Sequence, residues 1–106
     1  MNFNAKNIIK TLNKNFKGKD VNIIFSGSLE TTIKLYDFRF YISRDTTIFS
    51  DKKGNELKID NYWIDNVIIK SNVIKFEFEN EYSITVEGVV WYEGFKRTIK
   101  RVKNQL

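Results

Sequence analysis

The first regular pattern in the chain is a stripe of apolar residues with the period of an α-helix, over residues 5–16. The members of this stripe are Ala5, Ile8, Ile9, Leu12 and Phe16. Their spacing places the side chains on one face of a helix. Asn4 precedes the stripe as a candidate N-cap, and Gly18 follows it as a residue that readily adopts the left-handed conformation ending many helices. The pattern predicts an amphipathic helix that packs on the rest of the protein.

The hydrophobic period changes from 3.6 to 2 after this helix, and the alternation continues to about residue 90. Residues 21–25 form a short apolar run that is typical of a buried strand. In residues 32–35 the apolar side chains stand at odd-numbered positions, whereas in residues 38–42 they stand mainly at even-numbered positions. Because a change of parity turns side chains to the other face of a sheet, it predicts a bulge or sharp bend at residues 36–37.

Further strands are predicted in the second half of the chain. Residues 46–50 lead into a turn at 51–54, which ends in a glycine suited to a positive φ. Residues 74–79 and 82–87 alternate cleanly, and the two residues between them form a tight turn. This last hairpin has an apolar inner face and a charged outer face. Residues 62–69 fit a strand, although a short turn at their start is an open alternative.

Short strands without intervening helices indicate an antiparallel sheet or small barrel. We therefore predict one α+β, mostly β domain over residues 1–106, in which the N-terminal helix packs on a strongly bent sheet. The basic C-terminal segment is ambiguous. Apolar residues at a helical spacing favour a helix over residues 95–105, and an alternation starting at Phe95 leaves a strand open.

The junction between the helix and the first strand resembles that of Sm-like proteins. The similar stretch is residues 16–27, with the sequence FKGKDVNIIFSG. The order of helix, Gly-Lys-Asp turn, apolar strand and bent sheet is also similar to SH3-like barrels. The resemblance implies a small Sm/SH3-like barrel. It implies nothing about RNA contacts, because the Asp and Asn that Sm-like families use for RNA have no counterpart placed here.

Composition removes most catalytic and metal chemistry. The chain has no cysteine and no histidine, so thiolate nucleophiles, zinc–thiolate sites and the commonest general base are excluded. We expect no cofactor and no metal. Isoleucine, lysine and asparagine are abundant, alanine occurs once and proline is absent, a bias that indicates an A/T-rich bacterial or phage genome. No apolar run approaches the ~20 residues of a membrane span, and the first residues do not resemble a signal peptide, so we expect a cytoplasmic protein without a membrane partner.

One short motif resembles a catalytic element. Glu56 and Lys58 match the Glu-x-Lys pattern of magnesium nucleases, with Asp45 or Asp51 upstream as a second carboxylate. Three-position motifs arise often by chance, and the simpler interpretation is a strand leaving a turn with both side chains in solvent. We therefore expect a protein that is not an enzyme.

Charge gives the leading hypothesis for function. The chain carries 18 Lys and Arg against 13 Asp and Glu, a formal charge of +5. Both termini are basic and the middle is acidic. Basic segments that lie side by side attract phosphate, which predicts a small non-catalytic protein that binds nucleic acid or a nucleoprotein complex. The candidate contacts are Lys6, Lys10, Lys14, Lys96, Arg97, Lys100, Arg101 and Lys103.

The alternative hypothesis uses the opposite charge. A row of carboxylates on the last hairpin could bind a basic groove of a host protein, in the manner of a phage-type anti-defence inhibitor or an adaptor. The candidate residues are Glu77, Glu79, Glu81 and Glu87. Exposed aromatic side chains could serve the same interface. For Trp63 and Trp91 we favour a core or partly buried position, since a chain so poor in alanine fills its core with large residues, and an interface position is the open alternative.

Overall fold

The structure is a computed structural model that describes residues 4–70 and 72–89. The helix α1 spans Ala5–Asn15. The strands are β1 (Val21–Ser26), β2 (Thr31–Leu35), β3 (Arg39–Ile42), β4 (Thr46–Ser50), β5 (Glu56–Asp60), β6 (Ile64–Lys70), β7 (Val73–Phe78) and β8 (Ser83–Gly88). The predicted mostly β chain with an N-terminal helix is confirmed. The prediction for residues 95–105 lies outside the described residues. In the described segments no helix is both long and apolar enough to cross a membrane.

The strands form two antiparallel sheets. The larger sheet has five strands in the order β2-β1-β8-β7-β6, and the smaller has three in the order β3-β4-β5. The chain passes from the large sheet to the small one between β2 and β3, at the predicted bend. Asp37 has a φ of 55° there, and its backbone N–H donates to the Asp20 carboxylate at 3.2 Å. This bond helps hold a conformation that residues other than glycine adopt reluctantly.

The core lies where the inner faces of both sheets meet the helix. In the large sheet, the register places Ile23 beside Val86 and Phe76 beside Ile84. In the small sheet, Phe49 presents its ring to the ring of Phe76, with a centroid distance of 5.8 Å. The side chains that are almost fully buried are Ile8, Leu12, Phe16, Val21, Ile23, Leu35, Phe38, Phe49, Ile64, Ile74, Phe76 and Val86. The predicted inner face of the helix is confirmed. That of the last hairpin is confirmed except at Tyr82, which the alternation places on it and which is half exposed.

Both ends of α1 are fixed as the sequence predicts. The side chain of Asn4 accepts a hydrogen bond from the backbone N–H of Asn7 at 3.1 Å. Gly18 adopts a φ of 77°, and its N–H donates to the Phe38 carbonyl at 2.8 Å. The Phe38 N–H donates in turn to the Lys19 carbonyl at 2.9 Å. The C-terminal end of the helix is thus tied to the start of the small sheet.

The chain between β5 and β6 departs from expectation. Asn61–Trp63 forms a 3₁₀ turn, so the alternative of a short turn before the strand is the correct one. Asn61 is 1% exposed, whereas Tyr62 is 75% and Trp63 is 53% exposed. Trp63 is therefore not a core residue, because a polar side chain, that of Asn61, takes the inward position of this turn. Trp91 lies outside the described residues.

Candidate nucleic-acid interface

The large sheet has two ends with different side chains. We define its basic end as the end where β6 finishes at Lys70, and its acidic end as the end where β7 finishes at Phe78. The strands are antiparallel, so β8 begins at the acidic end and finishes at the basic end. The helix α1 lies beside the basic end.

A basic groove of about 440 Å³ separates α1 from the end of β6. Its lining residues are Asn7, Lys10, Thr11, Lys14, Asn15, Ile69 and Lys70. None of these seven is acidic. Lys10 and Lys14 are four residues apart and therefore lie on the same helix face. Both are exposed, and Lys70 supplies a third ammonium group from the sheet.

The groove can hold an anion in a way that does not depend on sequence. Each lysine presents an ammonium group with three donors on a flexible stem, which suits phosphate oxygens but does not read base edges. The threonine and asparagine side chains add neutral donors along the same wall. Because the helix and the strand are both fixed to the core, the lysine stems start from a rigid frame.

The predicted phosphate contacts fall into two groups. Lys6, Lys10 and Lys14 are exposed on α1, and the last two line the groove. The predicted contacts of the C-terminal segment, which are Lys96, Arg97, Lys100, Arg101 and Lys103, lie outside the described residues. Sequence reasoning missed Lys70. The available signal was that Lys70 directly follows the apolar stretch 62–69. If that stretch is a strand, Lys70 lies at its end, where the chain turns into the next strand.

An acidic cleft of about 500 Å³ occupies the opposite end of the sheet. The cleft is lined by Asp65, Lys75, Glu77, Phe78, Glu79, Asn80, Glu81, Tyr82 and Ser83. Three of the four predicted glutamates line it. The expected gathering does not hold for Glu87, which pairs with Val73 at the basic end of the same hairpin. The fourth carboxylate that lines the cleft is that of Asp65. Nothing in the local sequence distinguishes Asp65 from an ordinary surface residue.

Asp51 holds the turn between β4 and β5 through its carboxylate. Its carboxylate accepts hydrogen bonds from the backbone N–H groups of Lys53, Asn55 and Tyr36, at 2.9, 3.0 and 3.2 Å. Burial raises the pKa of this carboxyl, but the bonds from Asn55, Tyr36 and Lys53 outweigh it and lower the pKa below its ordinary value of 3.8.

The residues of the Glu-x-Lys motif lie on β5, and both are exposed. Asp45 is an exposed loop residue that pairs with Arg44 at 3.4 Å. No group of three or more acidic side chains among the described residues is arranged to hold a metal ion. The motif residues therefore fit the interpretation of a solvent-facing strand.

Comparison of the chain with protein-family models, with curated proteins and with solved structures gave no match.

Proposed function

We propose that this protein is a small non-catalytic binding protein that associates with nucleic acid or a nucleoprotein complex through its basic groove. The observation that carries the proposal is the convergence of Lys10, Lys14 and Lys70 on one groove without an acidic residue among the described lining. The formal charge of +5 for the whole chain acts in the same direction. Such a surface attracts phosphates by charge and releases their counterions.

The arrangement favours backbone contacts over base recognition. Lysine ammonium groups bind phosphate as point charges, whereas arginine supplies the bidentate geometry that distinguishes guanine. The described groove contains lysines and no arginine. We therefore expect binding that depends strongly on salt and weakly on nucleotide sequence.

The proposal includes a small barrel of the Sm/SH3-like kind. The bend at Asp37, which carries the chain from one sheet to the other, and the packing of Phe49 against Phe76 between the sheets support it. A barrel of this kind would leave the groove beside α1 at its rim.

The test is a charge reversal in the groove with a matched control. Lys10→Glu with Lys14→Glu changes two groove lysines. Lys52→Glu with Lys58→Glu makes the same change in charge at two exposed residues, in the β4–β5 turn and on β5. Binding to labelled single- and double-stranded oligonucleotides is measured by fluorescence anisotropy at several salt concentrations. We expect affinity to fall more than tenfold in the groove variant, with a log–log salt slope shallower by roughly 1.4–1.8, since about 0.7–0.9 is lost per phosphate contact.

The control variant defines what contradicts the proposal. An equal loss in both variants would show a general effect of net charge, and salt-insensitive binding would show that phosphate is not the ligand. Either result would make the lysines a solvated surface and favour the protein-directed inhibitor or adaptor. Circular dichroism spectra of both variants check that the fold is kept.

A further inference from the structure

The acidic cleft gathers carboxylates from separate elements of the fold. Asp65 comes from β6, Glu77 from β7, and Glu79 and Glu81 from the turn between β7 and β8. One cation, Lys75, lies among them, with its Nζ 3.7 Å from a Glu77 oxygen. Both partners are partly exposed, so this ion pair neutralises the cleft only weakly. The cleft is a negative surface on a protein whose total charge is positive.

A buried hydroxyl group lies at the base of the same cleft. Ser83 is 8% exposed and is the cross-strand partner of Glu77, so both side chains lie on the same face of the sheet. In the described part of the chain, the Ser83 hydroxyl has no hydrogen-bond partner. Buried hydroxyl groups are nearly always hydrogen-bonded in native proteins. Ser83 therefore offers a donor and acceptor that a ligand in the cleft can satisfy.

Tyr82 adds an aromatic surface to these polar groups. The residue is 51% exposed, and its ring packs so closely on Gly27 that a methyl group there would overlap it. Tyr82 lines both the acidic cleft and a smaller cleft of about 210 Å³ that includes Gly27. A half-exposed ring beside carboxylates can bind a cationic side chain through the face of the ring. The carboxylates can at the same time accept hydrogen bonds from the N–H groups of that cation.

The turn that carries two of the carboxylates is conformationally strained. Asn80 and Glu81 have φ values of 69° and 65°. Asparagine tolerates this left-handed region, but glutamate enters it at a cost. The conformation keeps Glu81 among the lining residues of the cleft. A glycine at this position would relieve the backbone strain but would also remove the negative charge.

We propose that the acidic cleft is a docking site for a Lys/Arg-rich segment of a partner protein. The carboxylates would pair with the basic side chains, Tyr82 would stack on one of them, and the Ser83 hydroxyl would accept a hydrogen bond from it. Charge complementarity selects this occupant, because a nucleic acid would be repelled by the same residues. The site is separate from the basic groove and does not depend on the function proposed for that groove.

The first test measures binding of a fluorescein-labelled nine-residue peptide of alternating arginine and glycine. Long-range charge opposes this complex, since the protein carries +5, so binding reports a local site. Glu77→Gln with Glu79→Gln should weaken binding roughly tenfold, given the worth of two partly exposed ion pairs. The control, Asp45→Asn with Glu56→Gln, removes two exposed carboxylates away from the cleft and should leave the affinity unchanged. Oligonucleotide binding should be the same in both variants.

The second test uses Ser83→Ala, which separates a binding role from a structural one. We expect a several-fold loss of affinity for the peptide, typical of one hydrogen bond to a charged group. The melting temperature should stay the same or rise, because the hydroxyl has no partner to lose in the described structure. A lowered melting temperature with unchanged affinity would contradict the proposal.

Two further results would overturn it. One is an equal effect of the cleft and control variants on peptide affinity, or no binding of the peptide at all. The other is self-association of the protein, measured by sedimentation, if it is abolished in the cleft variant and also in the groove variant Lys10→Glu with Lys14→Glu. That result would make the occupant a second copy of this chain.

Discussion

At the residue scale, Asn61 is a buried polar side chain whose oxygen and nitrogen atoms both form hydrogen bonds. Its Oδ1 accepts a hydrogen bond from the Thr47 hydroxyl at 2.6 Å. Its Nδ2 donates to the carbonyls of Ser43 at 2.9 Å and Arg44 at 3.3 Å. Both Asn61 and Thr47 are buried. This network ties the 3₁₀ turn to the loop between β3 and β4 and leaves the neighbouring Tyr62 exposed.

We expect Asn61→Ala to lower the free energy of unfolding by about 2–4 kcal/mol, because it leaves a buried hydroxyl and two carbonyls without their partner. Urea denaturation followed by fluorescence measures the change. Asn66→Ala serves as the control, since Asn66 is exposed and its side chain donates to the Glu77 side chain at 3.1 Å. Similar losses in the two variants would show that the buried network contributes little.

Asp51 makes stability depend on pH. Its pKa is lowered in the folded protein, so its contribution to stability is fully present above the unfolded-state pKa. That contribution is lost as the pH falls from about 3.8 through the lower folded-state value. We expect Asp51→Asn to be less stable than the wild type near neutral pH, with a difference that shrinks below pH 3.8. Urea midpoints measured between neutral and acid pH test this, and a difference that stays constant would contradict it.

At the scale of elements, the helix α1 depends on three residues that reach the core. Leu12 is 0% exposed and lies between Ile8 and Phe16 along the buried stripe. We expect Leu12→Ala to cost about 2–5 kcal/mol of stability through the cavity that it leaves. Asn13→Ala, on the exposed face of the same helix, should change stability by less than about 0.5 kcal/mol. Thermal or urea unfolding measures both, and equal effects would show that α1 does not pack on the core.

The elements that the sequence predicted are those whose conformation is determined by residues close together in the chain. The helix follows from a period of 3.6 and its caps, and the last hairpin follows from an alternation of period 2 across a short turn. The bend at Asp37 was visible as a change of parity. The 3₁₀ turn at Asn61 was only an open alternative, because the residues that hold Asn61 lie 14 to 18 positions earlier in the chain, on β4 and in the loop before it. A buried asparagine cannot be told from an exposed one without knowing those partners.

At the scale of the whole molecule, the charges of residues 4–70 and 72–89 separate along the large sheet. The sequence predicted basic ends of the chain, and the basic groove indeed uses two lysines of α1. Lys70 and Asp65, however, belong to the same strand, and they end up in the groove and in the cleft respectively. Five residue steps of β6 separate them, which is roughly 17 Å. Assigning such residues needs the register of the strands, which depends on contacts between distant segments.

The placement of Lys70 and Asp65 at opposite ends of one strand contributes a component of electric dipole moment along β6. A dipole experiences a torque in the field of a charged partner, so the molecule turns before it touches. Salt limits this effect to separations of roughly a Debye length, about 8 Å at physiological ionic strength. Within that range this component of the dipole moment favours the approach of a polyanion at the groove and of a polycation at the cleft.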